Sequence, residues 1–214
     1  MKKIGVIGSG IVGQTLANGF VAKGFAVMRG SREPAKLADW KERAGPAASI
    51  GTFEQAARFG ETVVLAVKGS AAEEAVAQCG TALAGKVVLD TTNPIADLPP
   101  ANGVLQLFTG PEESLMERLQ RKAPSARFVK AFSCVGNAFM VDPDFDGVRP
   151  TMFIAGNDPA AKGAAREILD MFGWDVEDIG AAEGARAIEP LVMLWCAPGL
   201  LRNEWTHAFK LLKR

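Results

Sequence analysis

The chain has 214 residues, 48% hydrophobic and 22% charged, which suits one packed domain with an appendage and argues against a disordered polymer. Lys+Arg and Asp+Glu balance at 24 each for a formal net charge of +0, so neither a nucleic-acid-binding stripe nor an acidic tail is implied. Its three cysteines form no CxxC pair, which excludes a zinc knuckle or disulfide framework, and no apolar run approaches the roughly 18 residues of a membrane span; the expectation is a soluble, cytoplasmic protein without a metal site.

The opening MKKIGVIGSG has a charged start before an apolar stretch. Gly5, Gly8 and Gly10 interrupt that stretch, and no small-residue cleavage site follows, so it reads as a strand from Lys3 to Ile7 rather than a signal segment. The next residues, Gly8-Ser9-Gly10-Ile11-Val12-Gly13, match GxGxxG between that strand and a helix predicted over Ile11 to Lys23. In such a turn the first glycine permits the tight bend, the second lets the backbone approach a diphosphate, and the third packs the helix on the strand. The diphosphate would sit over the helix N-terminus, where free amides and the positive dipole end face it.

A second strand is predicted from Ala26 to Arg29, then Gly30-Ser31-Arg32-Glu33-Pro34-Ala35-Lys36. An NAD site usually places an acid at this strand end to accept from the ribose hydroxyls. Gly30 and Ser31 stand there instead, and Ser31, Arg32 and Lys36 offer donors for a 2′-phosphate, which points to NADP(H). The same residues also fit a simple helix start over Pro34 to Arg43, with Ser31 as cap and the two cations solvated. Glu33 is the complication, as a carboxylate able to meet a ribose.

A helix over Phe53 to Arg58 and a strand over Thr62 to Ala66 follow; the run Val63-Val64-Leu65-Ala66-Val67 is apolar throughout, as in strands covered on both faces. Ala66 and Val67 could face the nucleotide or be plain core, and Lys68 could meet phosphate or solvent. Beyond a helix over Ala71 to Cys79, a strand over Lys86 to Leu89 runs into Asp90-Thr91-Thr92-Asn93-Pro94. There Asn93 can hydrogen-bond a nicotinamide ribose or carboxamide and Pro94 can fix the loop, although Asn-Pro is also a common turn starter. The stretch from Asp90 to Pro111 reads as a long loop at the carboxyl edge of the sheet.

After a helix over Glu112 to Lys122, a strand over Arg127 to Ala131 brings Ala131 and the crossing from Ser133 to Asn137 to the same edge. Cys134 has no histidine near it in sequence and reads as a buried small hydrophobe. A strand over Thr151 to Ala155, a helix over Pro159 to Phe172 and a strand over Asp175 to Asp178 lead to a helical segment from Glu183 to Leu212. Pro190 and Pro198 should break that segment into pieces. Trp174, Trp195, Trp205 and the apolar Leu191 to Leu201 stretch could form a dimer surface, the wall of an acceptor pocket or core. The expected architecture is an α/β, Rossmann-type doubly wound, mainly parallel sheet over residues 1–182, with a small helical extension over 183–214 packed on it.

The chain has no tyrosine and one histidine, His207, so a Tyr/Lys or His acid–base site for alcohols and ketones is not available. Hydride transfer to an isoalloxazine-type ring can proceed by alignment alone. No catalytic side chain is therefore assigned. With the GSGIVG turn, Gly30-Ser31-Arg32 with Lys36, Leu89 to Ile95, Val129-Lys130-Ala131-Phe132 and Ile154 to Asp158, the chain resembles the coenzyme F420-dependent NADP oxidoreductases and the related oxidoreductase domain of STEAP-type metalloreductases, through nearly its whole length. The resemblance implies a compact, often dimeric protein passing hydride between NADP(H) and a small-molecule acceptor, coenzyme F420, FMN or FAD, with Ser9, Ile11 and Val12 beside the glycines at the diphosphate. It further implies that the loop after Asn93 and the stretch near Trp195 to Leu200 flank the acceptor. Two other readings stay open at this stage: a reductase of an imine or β-hydroxyacid, for which the chain is short, and a non-catalytic NADP(H)-binding module.

Overall fold

The computed structural model describes residues 2–214. Six parallel strands form the main sheet in the order β3-β2-β1-β4-β5-β6: β1 Lys3–Ile7, β2 Ala26–Gly30, β3 Ala48–Gly51, β4 Thr62–Leu65, β5 Val87–Asp90 and β6 Arg127–Lys130. This is the order of a dinucleotide-binding fold, with the crevice at the carboxyl ends of β1 and β4, where the winding reverses. The helices are α1 Ile11–Ala22, α2 Ala38–Ala44, α3 Phe53–Phe59, α4 Ala72–Cys79, α5 Leu115–Lys122, α6 Pro159–Met171, α7 Ala185–Ile188 and α8 Leu191–Arg202. Among the described residues, no helix is long and apolar enough to cross a membrane.

Alternation along the strands explains the two-faced burial. Val6, Val64, Leu89 and Val129 pack on one side with Leu16, Phe20, Trp40 and Ile168. Ile7, Val63, Leu65, Val88 and Phe128 pack on the other with Ala56, Ala75, Leu115 and Ala185. Both faces are therefore covered, and the strands carry no polar stripe.

The structure departs from the sequence expectation in four places. Strand β3 is absent from the sequence reading because Ala, Ser and Gly carry three of its four positions, and such residues give little strand signal. The strands β7 Thr151–Ile154 and β8 Asp175–Asp178 pair parallel with each other as a separate two-stranded sheet, touching β6 through an antiparallel bridge between Lys130 and Ala155. Helix α5 begins at Leu115 rather than Glu112, because Ser114 caps it through the Glu117 amide. The segment from Glu183 to Leu212, expected to break at Pro190 and Pro198, breaks at Pro190 between α7 and α8, but α8 runs through Pro198 and ends at Arg202, where Asn203 turns left-handed (φ 59°), a common helix stop. Residues 203–214 then run without regular structure along β7, with the Thr151 amide donating to the Phe209 carbonyl at 2.8 Å.

Candidate functional site

The glycines of the first turn are separated by what surrounds them. Gly8 adopts φ +145°, and a β-carbon on it would lie 2.1 Å from the Ala66 carbonyl oxygen, so β1 and β4 meet there without a side chain between them. A β-carbon on Gly13 would lie 2.9 Å from the Gly8 carbonyl oxygen, which fits close packing of helix on turn. At Gly10 nothing lies within 4 Å: the space above it is open. Gly10 is also the N-cap of α1, which has no capping side chain and no acid in its first turn. Its amide donors and dipole are thus free for an anion, and the turn fits a diphosphate.

A cleft of about 220 Å³ opens beside this turn, lined by Ser9, Gly10, Ser31, Arg32, Lys36, Ala66 and Val67 among others. Seven of the residues singled out from the sequence thus face one space. Ile11 and Val12, also expected at the site, do not line this cleft; Ile11 is 59% exposed and Val12 half-buried. The Ser31 hydroxyl accepts from the Glu33 amide at 3.1 Å, ordering the turn in which Arg32 stands exposed. The Lys36 ammonium donates to Glu33 at 2.7 Å, and this contact holds the Glu33 carboxyl below its ordinary value. Lys68 also lines the cleft and pairs with Asp97.

Asn93, Pro94 and Ala131 do not line that cleft; they stand at the ends of β5 and β6, further along the sheet edge. The Asn93 amide donates to the Ser133 carbonyl at 2.8 Å, and the Ser133 hydroxyl donates to the Asn93 Oδ1. The two loops leaving the sheet are thus buttoned together. Ala131 is fully buried, with its amide on the Asp90 carbonyl at 3.0 Å. Phe132 follows in a left-handed conformation (φ 58°), unusual for a bulky residue, and turns the chain out of β6. Burial pushes the Cys134 thiol up to about 12, which leaves it unreactive at neutral pH.

Sequence reasoning missed two charged features behind this edge. The first is Arg29, which has no exposed surface; its Nη2 donates to the carbonyls of Gly10 at 3.2 Å and Gly8 at 3.4 Å. The second is a buried triad. The Lys130 ammonium lies 2.6 Å from Asp90 and 2.8 Å from Glu189, and donates to the Thr92 carbonyl at 2.8 Å. Burial alone would lower the Lys130 pKa; the two carboxylates outweigh it and hold it above its ordinary value. Asp90 in turn accepts from the Thr92 amide and hydroxyl at 2.9 and 2.6 Å. Glu189 accepts from the amides of Leu115 and Met116 at 2.8 and 3.0 Å. The turn carrying Asn93 is therefore pinned from below by charge. The available signals were an arginine inside an apolar strand and a glutamate just before Pro190 in an apolar run.

Beside the crossing after β6, where a β-carbon on Gly136 would lie 2.8 Å from the Trp195 ring, the C-terminal tail closes over α8. Trp195 Nε1 donates to the His207 carbonyl at 3.0 Å, and His207 Nε2 lies 2.9 Å from the Trp195 carbonyl, so that nitrogen carries a proton. The two rings stack at 5.0 Å, and Trp205 lies 5.7 Å from Trp195.

The chain matches known proteins along this same framework. The family described as coenzyme F420-dependent NADP oxidoreductases matches residues 3–94. A candidate F420-dependent NADP reductase from Arthrobacter sp. FB24, known from a crystal structure, aligns with a TM-score of 0.91 at 31% identity, covering 100% of both chains. The F420-dependent NADP reductase of Methanocaldococcus jannaschii is 28% identical over 199 residues, 86% of this chain and 88% of that protein. The metalloreductase STEAP3 of Rattus norvegicus is 30% identical over 205 residues, 93% of this chain. The chain spans only 39% of that relative's length. Full-length agreement in fold with the Arthrobacter protein, together with the match over the glycine turn, the β2 end and the turn after β5, places the chain in the family of F420-dependent NADP oxidoreductases.

Proposed function

We propose that the protein passes hydride between NADP(H) and a deazaflavin or flavin ring, coenzyme F420, FMN or FAD. The observation that carries the nucleotide half is the cleft in which Ser31, Arg32 and Lys36 meet Ser9 and Gly10, at a strand that ends in Gly30 rather than an acid. Ser9, Ile11, Val12 and the glycine turn would hold the diphosphate through α1; Ser31, Arg32 and Lys36 would hold the 2′-phosphate; Ala66 and Val67 would face the nucleotide. Asn93, Pro94 and Ala131 would set the nicotinamide end. Glu33 is directed to Lys36, so it acts as that lysine's exchangeable counter-charge and not as a ribose ligand.

The acceptor half rests on the M. jannaschii relative's name and on the side chains at hand. Bound NADPH supplies the hydride, and a ring that delocalises the arriving charge needs no proton donor from the protein. Asp90, Lys130 and Glu189 are buried and spent on one another, while His207 is engaged with Trp195; what these residues do is align. We further propose a cytoplasmic homodimer, with the exposed α8 side chains Leu194 and Leu201 at the subunit contact.

Mixing the protein with NADPH and, separately, coenzyme F420, FMN and FAD, while following the absorbance of reduced nicotinamide, tests this reading. Turnover with at least one of these rings is expected. Tight NADPH binding without turnover on any of them would overturn it and make the chain a binding module.

A further inference from the structure

On the reading that the first turn binds a dinucleotide diphosphate, we propose that Arg29 is the positioning residue of that turn: it orients the diphosphate-binding amides and supplies a buried positive charge behind them. Strand β2 presents Val27 and Arg29 to the same side, against Leu16 and Trp40. That side calls for an aliphatic residue at position 29. A fully buried guanidinium is costly unless something compensates it.

What compensates Arg29 is incomplete. Its guanidinium lies 4.9 Å from the centre of the Trp40 ring, and that ring is itself fixed by Trp40 Nε1 donating to Asn18 at 2.8 Å. Nη2 reaches the Gly8 and Gly10 carbonyls, while Nε is buried without a partner. Arg29 forms no ion pair among the described residues. Burial brings its pKa down to about 10, which still leaves it charged at neutral pH. The cation therefore lacks an anion, and the nearest place for one is above the glycine turn.

The geometry of the peptide bond supplies the rest. In a planar trans peptide the carbonyl oxygen and the following N–H point to opposite sides. With the Gly8 and Gly10 carbonyls drawn inward onto Arg29, the amides of Ser9 and Ile11 are turned outward, and Ser9 and Gly10 line the cleft. Arg29 thus sets the Ser9 amide and, together with the helix bond from the Gln14 amide to the Gly10 carbonyl at 3.0 Å, the Ile11 amide, for a diphosphate it never touches. Since the diphosphate is common to NADP(H) and NAD(H), its effect should be blind to the 2′-phosphate, the reverse of Arg32.

The test is calorimetric titration of the wild type, R29M and R32E with NADPH, NADH and adenosine 2′-monophosphate, which carries the 2′-phosphate without the diphosphate bridge. For R29M, affinity should fall by the same factor for NADPH and NADH, on the order of tenfold or more, with 2′-monophosphate binding kept. For R32E, NADPH and the 2′-monophosphate should weaken together and NADH little. R29K keeps the charge but cannot grip both carbonyls; it should show the R29M pattern at smaller size, and it serves if R29M does not fold. Unchanged dinucleotide affinity in R29M and R29K overturns the proposal, as does an equal loss for all three ligands, which would mark a purely structural arginine. A wild type that binds neither dinucleotide overturns the site reading itself.

Discussion

On the proposed reading, Arg32 and Lys36 would give up different things to hold a phosphate. Lys36 would have to leave Glu33, but both side chains are about two-thirds exposed (65% and 66%), and water screens such a pair so that it is weakly held. Arg32 is exposed in the same cleft and forms no ion pair among the described residues, so it would meet a dianion at little cost. Arg32→Glu removes a charge-assisted contact and adds repulsion; NADPH affinity should fall on the order of a hundredfold, with NADH changed by less than about threefold. Titration of both cofactors checks this, and equal loss for both would assign Arg32 to the diphosphate or the fold. That these residues line the cleft was legible because polar side chains placed after a strand end leave the core pattern. Arg29, Lys130 and Glu189 were not legible in role, because each acquires its meaning from a partner distant in sequence.

Among the elements, α5 shows how much of a boundary lies in a few side chains. Ser114 and Glu117 form a capping box, a pattern readable in sequence, yet the expected start at Glu112 lay three residues too early. Glu117 also receives Arg186 Nη2 at 2.6 Å, from α7. Arg186 and the Ser114 donors together bring its carboxyl down from 4.5 to about 2. A depressed folded pKa contributes stability that is present above the unfolded value and is lost as pH falls through the folded one. Wild-type stability should therefore decline between about pH 4.5 and 2 more steeply than that of Glu117→Gln. At neutral pH the variant should be weaker by about 1–2 kcal/mol, a figure reduced for the partly exposed Arg186. Urea unfolding across that range measures it, and parallel pH profiles would count against the assignment. The tail and β3 were misread for an opposite reason: neither has a strong local signal, and the tail lies extended only because β7 and Trp195 offer it partners.

At the scale of the whole molecule, alternating strands and helices were enough to identify the doubly wound sheet, since a buried parallel strand is apolar throughout. The separation of β7 and β8 into a second sheet was not legible, because strand pairing at a sheet edge is settled by packing. The sequence reading divides the chain into a domain over residues 1–182 and an extension over 183–214 packed on it, and one side chain ties the two stretches together. Glu189 does so by compensating Lys130 and capping α5 at once. Glu189→Ala leaves a buried ammonium with one carboxylate and two amides without an acceptor; a loss of roughly 3–5 kcal/mol in urea unfolding is expected. A loss below about 1 kcal/mol would mean that water enters the site.

The triad has a consequence for how such a chain can change over generations. Positions 90, 130 and 189 lie on β5, on β6 and beside α8, yet they share one electrostatic balance. A substitution at any of them is felt at the other two, so these sites should drift together or not at all. An exchange of the whole set for apolar residues would remove the charge imbalance of a single step, but it would still leave the Thr92, Leu115 and Met116 amides without their acceptors. The surface around the cleft carries no such constraint, leaving cofactor preference free to shift one residue at a time above a foundation that moves only in threes.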